Sequence, residues 1–190
     1  MTHPFNEWKV LPHGKLTEIE PDLLTVVGEL HMPLADLPRR MTVVRLTGRR
    51  LVFFSAIALD EDEMAALAAY GEPAFLIVPN DHHRLDAKIW KQRFPALQVV
   101  APEGARDKVA EAVAVDSVRP DFDDRNVLFV TVPGTRGHEA ALLVTTPPAR
   151  RSCSTTWSAT SAASPASAAG CYDSPASPAR KRRFRASSRR

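Results

Sequence analysis

The sequence has little cysteine, and none of it lies where a compact domain could use it. The 190-residue chain contains two cysteines, Cys153 and Cys171, both close to its carboxyl end. Residues 1–148 therefore hold no disulfide and no thiolate ligand for a metal ion. Sulfur-ligated zinc and disulfide-stabilised scaffolds are excluded from this part of the chain.

Long apolar runs are also missing. No run approaches the roughly 20 residues that a transmembrane helix needs. The polar segment Met1–Lys15 lacks the apolar core of a secretion signal. We therefore expect a cytoplasmic protein with no membrane partner. Neither a Gly-rich phosphate loop nor the Gly-x-Ser-x-Gly motif of a nucleophile elbow is present, so neither chemistry is indicated.

Branched aliphatic residues disappear near the carboxyl end. From Ala149 to Arg190 there is no Leu, Ile or Val, and Ser and Ala supply 20 of 42 residues. Such a segment cannot bury enough apolar surface to offset the entropy lost when it is ordered. We predict one folded but incomplete domain, residues 1–147, followed by a disordered Ser/Ala/Arg-rich tail, residues 148–190.

Two explanations of the tail stay open, a natural linker or basic arm and a frameshift in a GC-rich gene. The codons of Arg151–Ser161 can be read from each third base, with serine encoded as TCN. One allowed solution is Ile-Leu-Leu-Asn-Asp-Leu-Val-Gly-Asn-Ile, which is typical of a buried strand ending in a polar turn. The frameshift is the hypothesis that this pattern favours, and it makes the tail an out-of-frame product.

Charge is divided unevenly along the chain. Residues 149–190 carry a net charge of +8, and since the whole chain carries +3, residues 1–148 carry −5. This mildly acidic body gives no electrostatic reason to bind nucleic acid. A nucleic-acid role would depend on the basic tail alone. We expect a small-molecule substrate or ligand and no nucleic-acid partner.

Apolar periodicity predicts strands that first pair as hairpins and then alternate with helices. Asp60 and Glu63 have the spacing of a capping box, and Gly71 ends the helix that follows. This order predicts a mixed α/β fold built in layers. The predicted strands are 16–19, 23–27, 41–46, 51–55, 74–78, 97–101, 127–132 and 140–145, and the predicted helices are 60–69, 86–94 and 104–113.

A histidine-containing loop follows one buried strand. Five apolar residues, Ala74–Val78, are ended by Pro79 and predict a strand covered on both faces. The loop Asn80–Asp86 then brings His82 and His83 together with carboxylates. Sites in open α/β sheets usually lie beyond the carboxyl ends of strands. The sequence therefore places its candidate site in this loop.

Several phrases of the sequence resemble one family when they are taken together. They are Pro38–Leu46, Phe54–Leu59, Val78–Asn80 with His83–Asp86, and Val132–Thr135. Over residues 8–146 the chain resembles the metallo-β-lactamase-like superfamily, and more closely a branch of it classed as a domain of unknown function. The resemblance implies a truncated αββα sandwich and a metal-dependent hydrolase relative with a degenerate metal motif.

The metal motif of the superfamily is only partly present. Its pattern His-x-His-x-Asp-His falls on Asn80, His82, Arg84 and Leu85, so only His82 keeps a ligand type. The later Gly-His motif falls on Gly134-Thr135. Since zinc needs about four donors in tetrahedral reach, the usual site cannot be rebuilt. A shifted zinc site stays open as a hypothesis, and its candidate ligands are His82, His83, Asp86, His138 and Glu139.

Two functions are consistent with these residues. In the first, the shifted ligands hold a metal ion that supplies hydroxide for hydrolysis. In the second, the chain is a non-catalytic or inactive relative that binds a small molecule or a protein through the same cleft. We expect the second to hold for this chain, with weak zinc binding or none.

Structural roles compete with each functional one. The ring of His83 could bond the loop backbone, and Asp86 could cap the helix that begins there. Arg39-Arg40 could hold an anionic substrate, but a solvated turn is the preferred interpretation. Trp8 and Trp90 are interpreted as packing residues.

Overall fold

The structure, a computed structural model, describes residues 3–31 and 36–146. The predictions for the tail at 148–190 lie outside the described residues. Strands β1 to β8 are Thr17–Glu20, Leu23–His31, Asp36–Arg45, Arg50–Phe54, Glu72–Ile77, Gln98–Val100, Val127–Thr131 and Ala140–Val144. Helices α1 to α3 are Glu61–Tyr70, Ala87–Arg93 and Arg106–Ala110, and 3-10 turns cover Thr47–Arg49, Asp81–His83 and Glu103–Ala105. Within the two described ranges, no helix has both the length and the apolar character needed to cross a membrane.

The strands β1 to β6 form one sheet in the order of the sequence. Neighbours from β1 to β4 are antiparallel, whereas β4 pairs with β5 and β5 with β6 in parallel. Parallel neighbours need long crossover connections, which α1 and α2 supply here. The hairpin predicted from residues 41–46 and 51–55 is confirmed as the β3–β4 pair, in which Thr42 lies opposite Phe54.

A different layer covers each face of this sheet. On one face, helix residues that include Met64, Trp90 and Val109 share a buried cluster with strand residues such as Phe53. On the other face, residues of the antiparallel β7–β8 pair share a second cluster with Phe54 and its neighbours. The order helices, large sheet, small sheet makes this a mixed α/β layered fold, as predicted.

The interpretation of Arg39-Arg40 as a solvated turn is wrong. Both residues lie inside β3, opposite Gly28 and Val27 of β2, because these two strands extend well beyond their predicted ends. Successive side chains of a strand point to opposite faces. Arg39 therefore lies on the helix-covered face, and Arg40 lies on the other face, where it donates to the Thr25 hydroxyl at 3.0 Å.

Helix α1 begins as predicted, but only half of its capping box forms. The carboxylate of Asp60 accepts a hydrogen bond from the Glu63 backbone N–H at 2.9 Å. The Glu63 carboxylate does not return to Asp60; it accepts from the Leu16 backbone N–H at 2.9 Å. This bond fastens the segment before β1 to the first turn of α1.

Gly71 allows α1 to end directly against β4, and this contact gives a first testable prediction. A Cβ atom at Gly71 would lie 2.3 Å from the Arg49 carbonyl oxygen and 2.7 Å from the Leu51 side chain. We expect Gly71→Ala to lower the free energy of unfolding by about 1–3 kcal/mol through overpacking. Urea unfolding followed by circular dichroism measures the change.

Gly14→Ala is the matched control for this prediction. A Cβ at Gly14 would meet only the Val27 carbonyl oxygen, at 3.7 Å, which is an ordinary contact. The control should stay within about 0.5 kcal/mol of the wild-type value. Equal effects of the two substitutions would show that the close approach of Arg49 to Gly71 does not exclude a Cβ atom at position 71.

Candidate functional site

The sheet topology brings separate segments to one edge of the large sheet. The carboxyl ends of β4 and β5 meet there because these strands are parallel. Strand β3 runs the other way, so its residue Arg39 lies beyond the end of β4. Ser55 after β4, the loop Asn80–Asp86 after β5, and Arg39 of β3 therefore come together, at the edge where the sequence placed the site.

The hydroxyl of Ser55 meets the ring of His83. Ser55 Oγ lies 2.5 Å from His83 Nδ1, although 28 positions separate the two residues. The Ser55 backbone has φ +57°, in the left-handed region that favours glycine. Its N–H donates to the Ile77 carbonyl at 3.0 Å, which fixes the turn against β5. The expectation that the His83 ring bonds the loop backbone is wrong.

Asp86 is buried and uses both of its carboxylate oxygens. Oδ2 accepts a hydrogen bond from Arg39 Nη1 at 2.5 Å, and Oδ1 accepts from the Ala58 backbone N–H at 3.0 Å. The exposed fraction of the side chain is 1% for Asp86 and 15% for Arg39. Asp86 precedes α2 but makes no capping bond to it, so the expected cap is wrong.

The Asp86 carboxylate is one of three side-chain groups that form hydrogen bonds with the backbone of a buried irregular segment, Ala56–Leu59. Trp90 Nε1 donates to the Ile57 carbonyl at 3.2 Å, and Trp8 Nε1 donates to the Leu59 carbonyl at 2.9 Å. Buried backbone groups outside helices and sheets need such partners. The two tryptophans are therefore packing residues, as predicted, and they also support the segment that follows Ser55.

Burial shifts the pKa values of His83 and Asp86. The pKa of His83 is lowered, first by burial and then by the nearby charges of His82 and Arg39. Burial raises the pKa of Asp86, while the Arg39 charge and the Ala58 N–H act in the opposite direction. His83 is therefore neutral near neutral pH. We assign Asp86 as the ionised partner of Arg39, because the bonds to Arg39 and to Ala58 both favour a carboxylate.

The remaining predicted ligands do not join His83 and Asp86 in one metal-binding group among the described residues. The His82 side chain is 88% exposed and lies 3.5 Å from the Asp81 carboxylate. His138 and Glu139 lie in the connection between β7 and β8, where both backbone N–H groups bond to Thr135. The Ala140 N–H bonds to the Pro79 carbonyl at 2.9 Å. This bond places the start of β8 beside the loop Asn80–Asp86, which we call the candidate loop. Among the described residues, no group of three or more His, Cys, Asp or Glu side chains is arranged to hold a metal ion.

The donors present in the candidate loop do not fit a zinc ion. The Asp86 carboxylate already bonds to a guanidinium and a backbone N–H, and His83 Nδ1 bonds to Ser55. A divalent ion at Asp86 would lie against the positive charge of Arg39 at a site with little solvent to screen it. The shifted ligand set is therefore not assembled in this arrangement.

The sequence reasoning missed Ser55 as a site residue and placed Arg39 in a solvated turn instead of in strand β3. Ser55 ends an apolar strand, and its positive φ has no sequence signal because the residue is not glycine. Arg39 could have been noticed because an arginine in a strand beside Met41 places its charge on the apolar face. The sequence pattern did not show that β3 begins early enough to include Arg39.

No protein-family model and no curated protein sequence matches this chain. The solved structures to which this chain is similar include several metallo-β-lactamases. That of Hirschia baltica is 10% identical with a TM-score of 0.48, covering 69% of this chain and 66% of that one. FIM-1 of Pseudomonas aeruginosa, in its mono-zinc form, is 13% identical with a TM-score of 0.47, covering 70% of this chain and 64% of that one.

A third similar structure is the metallo-β-lactamase of Erythrobacter litoralis, which is 11% identical with a TM-score of 0.46. The match covers 67% of this chain and 64% of that one. This chain thus spans slightly less than two thirds of the length of the three proteins. Its layered α/β fold is established by its own strand order and packing.

Proposed function

We propose that this chain is a metal-independent relative of the metallo-hydrolase-like proteins, whose candidate loop binds a small organic molecule without zinc. The observation that carries the proposal is the bond between Arg39 and Asp86. A fixed guanidinium stands beside the one buried carboxylate of the loop and compensates its charge. No metal ion is needed to stabilise that carboxylate in the folded state.

The chemistry of the two histidines also supports this proposal. His83 Nδ1 shares a hydrogen bond of 2.5 Å with the Ser55 hydroxyl, so this ring nitrogen is bonded to the protein and not held open toward a metal. His82 is exposed and lies beside a single carboxylate, Asp81. The competing proposal remains the metal-assisted hydrolase with His82, His83, Asp86, His138 and Glu139 as ligands. A small-molecule ligand, the absence of a nucleic-acid partner and a cytoplasmic location remain predictions.

Metal content separates the two proposals. Elemental analysis of the purified full-length protein, after dialysis against excess zinc and then metal-free buffer, should find much less than one equivalent. Isothermal titration with zinc should give the same small heat for wild type and for His83→Gln. One full equivalent, lost in both His82→Ala and His83→Ala but kept in the control His13→Ala, would establish the hydrolase ligands and overturn the proposal.

A further inference from the structure

The pair formed by Ser55 and His83 is placed as a nucleophile and its base would be. Ser55 follows a strand of the central sheet in a left-handed conformation, with its backbone N–H fixed by Ile77. Strained residues of this kind persist only where their surroundings impose the conformation, and they cluster at functional sites. A serine hydroxyl is a weak nucleophile until an adjacent base removes its proton. His83 Nδ1, 2.5 Å away, is within reach of that proton.

Arg39 supplies a hydrogen-bond donor that the fold itself does not use. Its Nη1 is bonded to Asp86, whereas its Nε–H is buried and has no hydrogen-bond partner among the described residues. A buried donor without an acceptor is costly, and such groups need an explanation. The charge of Arg39 is close enough to His83 to lower the pKa of that ring. A donor at this position is suited to the oxygen of a substrate carbonyl as negative charge develops on it.

We propose that Ser55 is an acyl-accepting nucleophile for small carboxylic esters, with His83 as its base and Arg39 Nε as the donor to the ester carbonyl. This inference rests on the proposed metal-independent binding site and adds a reaction to it. Because Ser55 is only 7% exposed, the proposed substrates are esters with a small acyl group, such as acetyl.

The reaction has two balanced steps. The Ser55 oxygen bonds to the acyl carbon as the bond from that carbon to the alcohol oxygen breaks, and the Ser55 proton passes through His83 Nδ1 to the departing alcohol. Water then attacks the acyl group on Ser55, giving its proton to His83, which returns it to the Ser55 oxygen as the carboxylic acid leaves. The sum is ester plus water giving acid plus alcohol, with no oxidation or reduction.

The test uses p-nitrophenyl acetate with the full-length protein in the presence of a chelator. A burst of p-nitrophenolate is expected, together with one acetyl group found by mass spectrometry on the peptide that contains Ser55. Ser55→Gly should abolish both the burst and the acetylation. This variant should still melt cooperatively, because glycine suits the left-handed backbone. His83→Gln should slow acylation by roughly 10²–10⁴-fold, the usual contribution of a general base.

Ser117→Ala is the matched control, because among residues 3–31 and 36–146 the Ser117 hydroxyl accepts just a local bond from the Arg119 N–H. Its burst should equal that of wild type. Absence of acetyl on Ser55 in a protein that melts cooperatively, or an unchanged burst in Ser55→Gly, would overturn the inference while leaving metal-independent binding untouched. A burst that the chelator abolishes and zinc restores would overturn the proposed function as well.

Discussion

Trp90→Ala is expected to lower the free energy of unfolding by about 3–5 kcal/mol, as large-to-small changes of buried aromatic residues do. Trp90 is fully buried, and its ring centroid lies 4.6 Å from that of Phe53 and 5.4 Å from that of Trp8. The substitution removes this packing and leaves the Ile57 carbonyl without its donor. Because the net stability of a domain is only about 5–15 kcal/mol, a large part of it would be lost.

The control for this prediction is Trp90→Phe, which keeps an aromatic ring at the same position and removes the indole N–H. Its cost should be smaller, because the phenyl ring keeps much of the packing. The lost hydrogen bond still leaves one buried carbonyl unsatisfied, which costs about 1–3 kcal/mol. Urea unfolding measured by far-ultraviolet circular dichroism gives both values. If Trp90→Ala cost less than 1 kcal/mol, the surroundings would be collapsing into the cavity, and the packing described for the helix face would be incorrect.

Local sequence patterns were sufficient to predict most of the large sheet. The apolar run Ala74–Val78 indicated a buried strand, and it overlaps β5 at Glu72–Ile77. The N-cap at Asp60 needed only residues three positions apart, and the hairpin of β3 and β4 needed only a turn between two alternating strands. These features depend on neighbours in the chain, which a sequence displays directly.

The contents of the site depend on distant residues, and these could not be predicted. Asp86 pairs with Arg39 across 47 positions, and Ser55 pairs with His83 across 28. Both pairs require the end of β4, the loop after β5 and the extended start of β3 to meet in register. The polar residues at the start of β3 resemble a turn in the sequence. Neither the long pairing of β3 with β2 nor the buried carboxylate that compensates Arg39 can be read from those residues themselves.

Arg39→Met should be strongly destabilising near neutral pH, by about 3–5 kcal/mol. The substitution keeps most of the side-chain volume but leaves the carboxylate of Asp86, 1% exposed, without a counter-charge. Removing one member of a buried ion pair costs far more than the pair contributes, because the remaining charge stays buried. The double variant Arg39→Met with Asp86→Asn should recover much of the loss, since the asparagine Oδ1 can still accept from the Ala58 N–H.

The pH dependence gives this prediction its sign. Burial already raises the pKa of Asp86, and Arg39 opposes that rise, so removing Arg39 raises it further. The folded variant then binds a proton at pH values where the unfolded chain has released it. Its stability relative to wild type should be lost as pH rises above the unfolded aspartate value of about 3.9, and the double variant should lack this slope.

Lys108→Met serves as the control, because it breaks the exposed bond between Lys108 Nζ and the Glu111 carboxylate at 2.9 Å. Exposed pairs contribute about 0–1 kcal/mol, so this variant should unfold nearly as wild type does. Urea titrations of the four proteins between pH 4 and 8 decide the matter. A cost for Arg39→Met no larger than that of the control, with no pH slope, would mean that Asp86 is protonated in the wild-type protein. The arginine would then not be the cation that compensates Asp86, and the proposed metal-independent site would lose the observation that carries it.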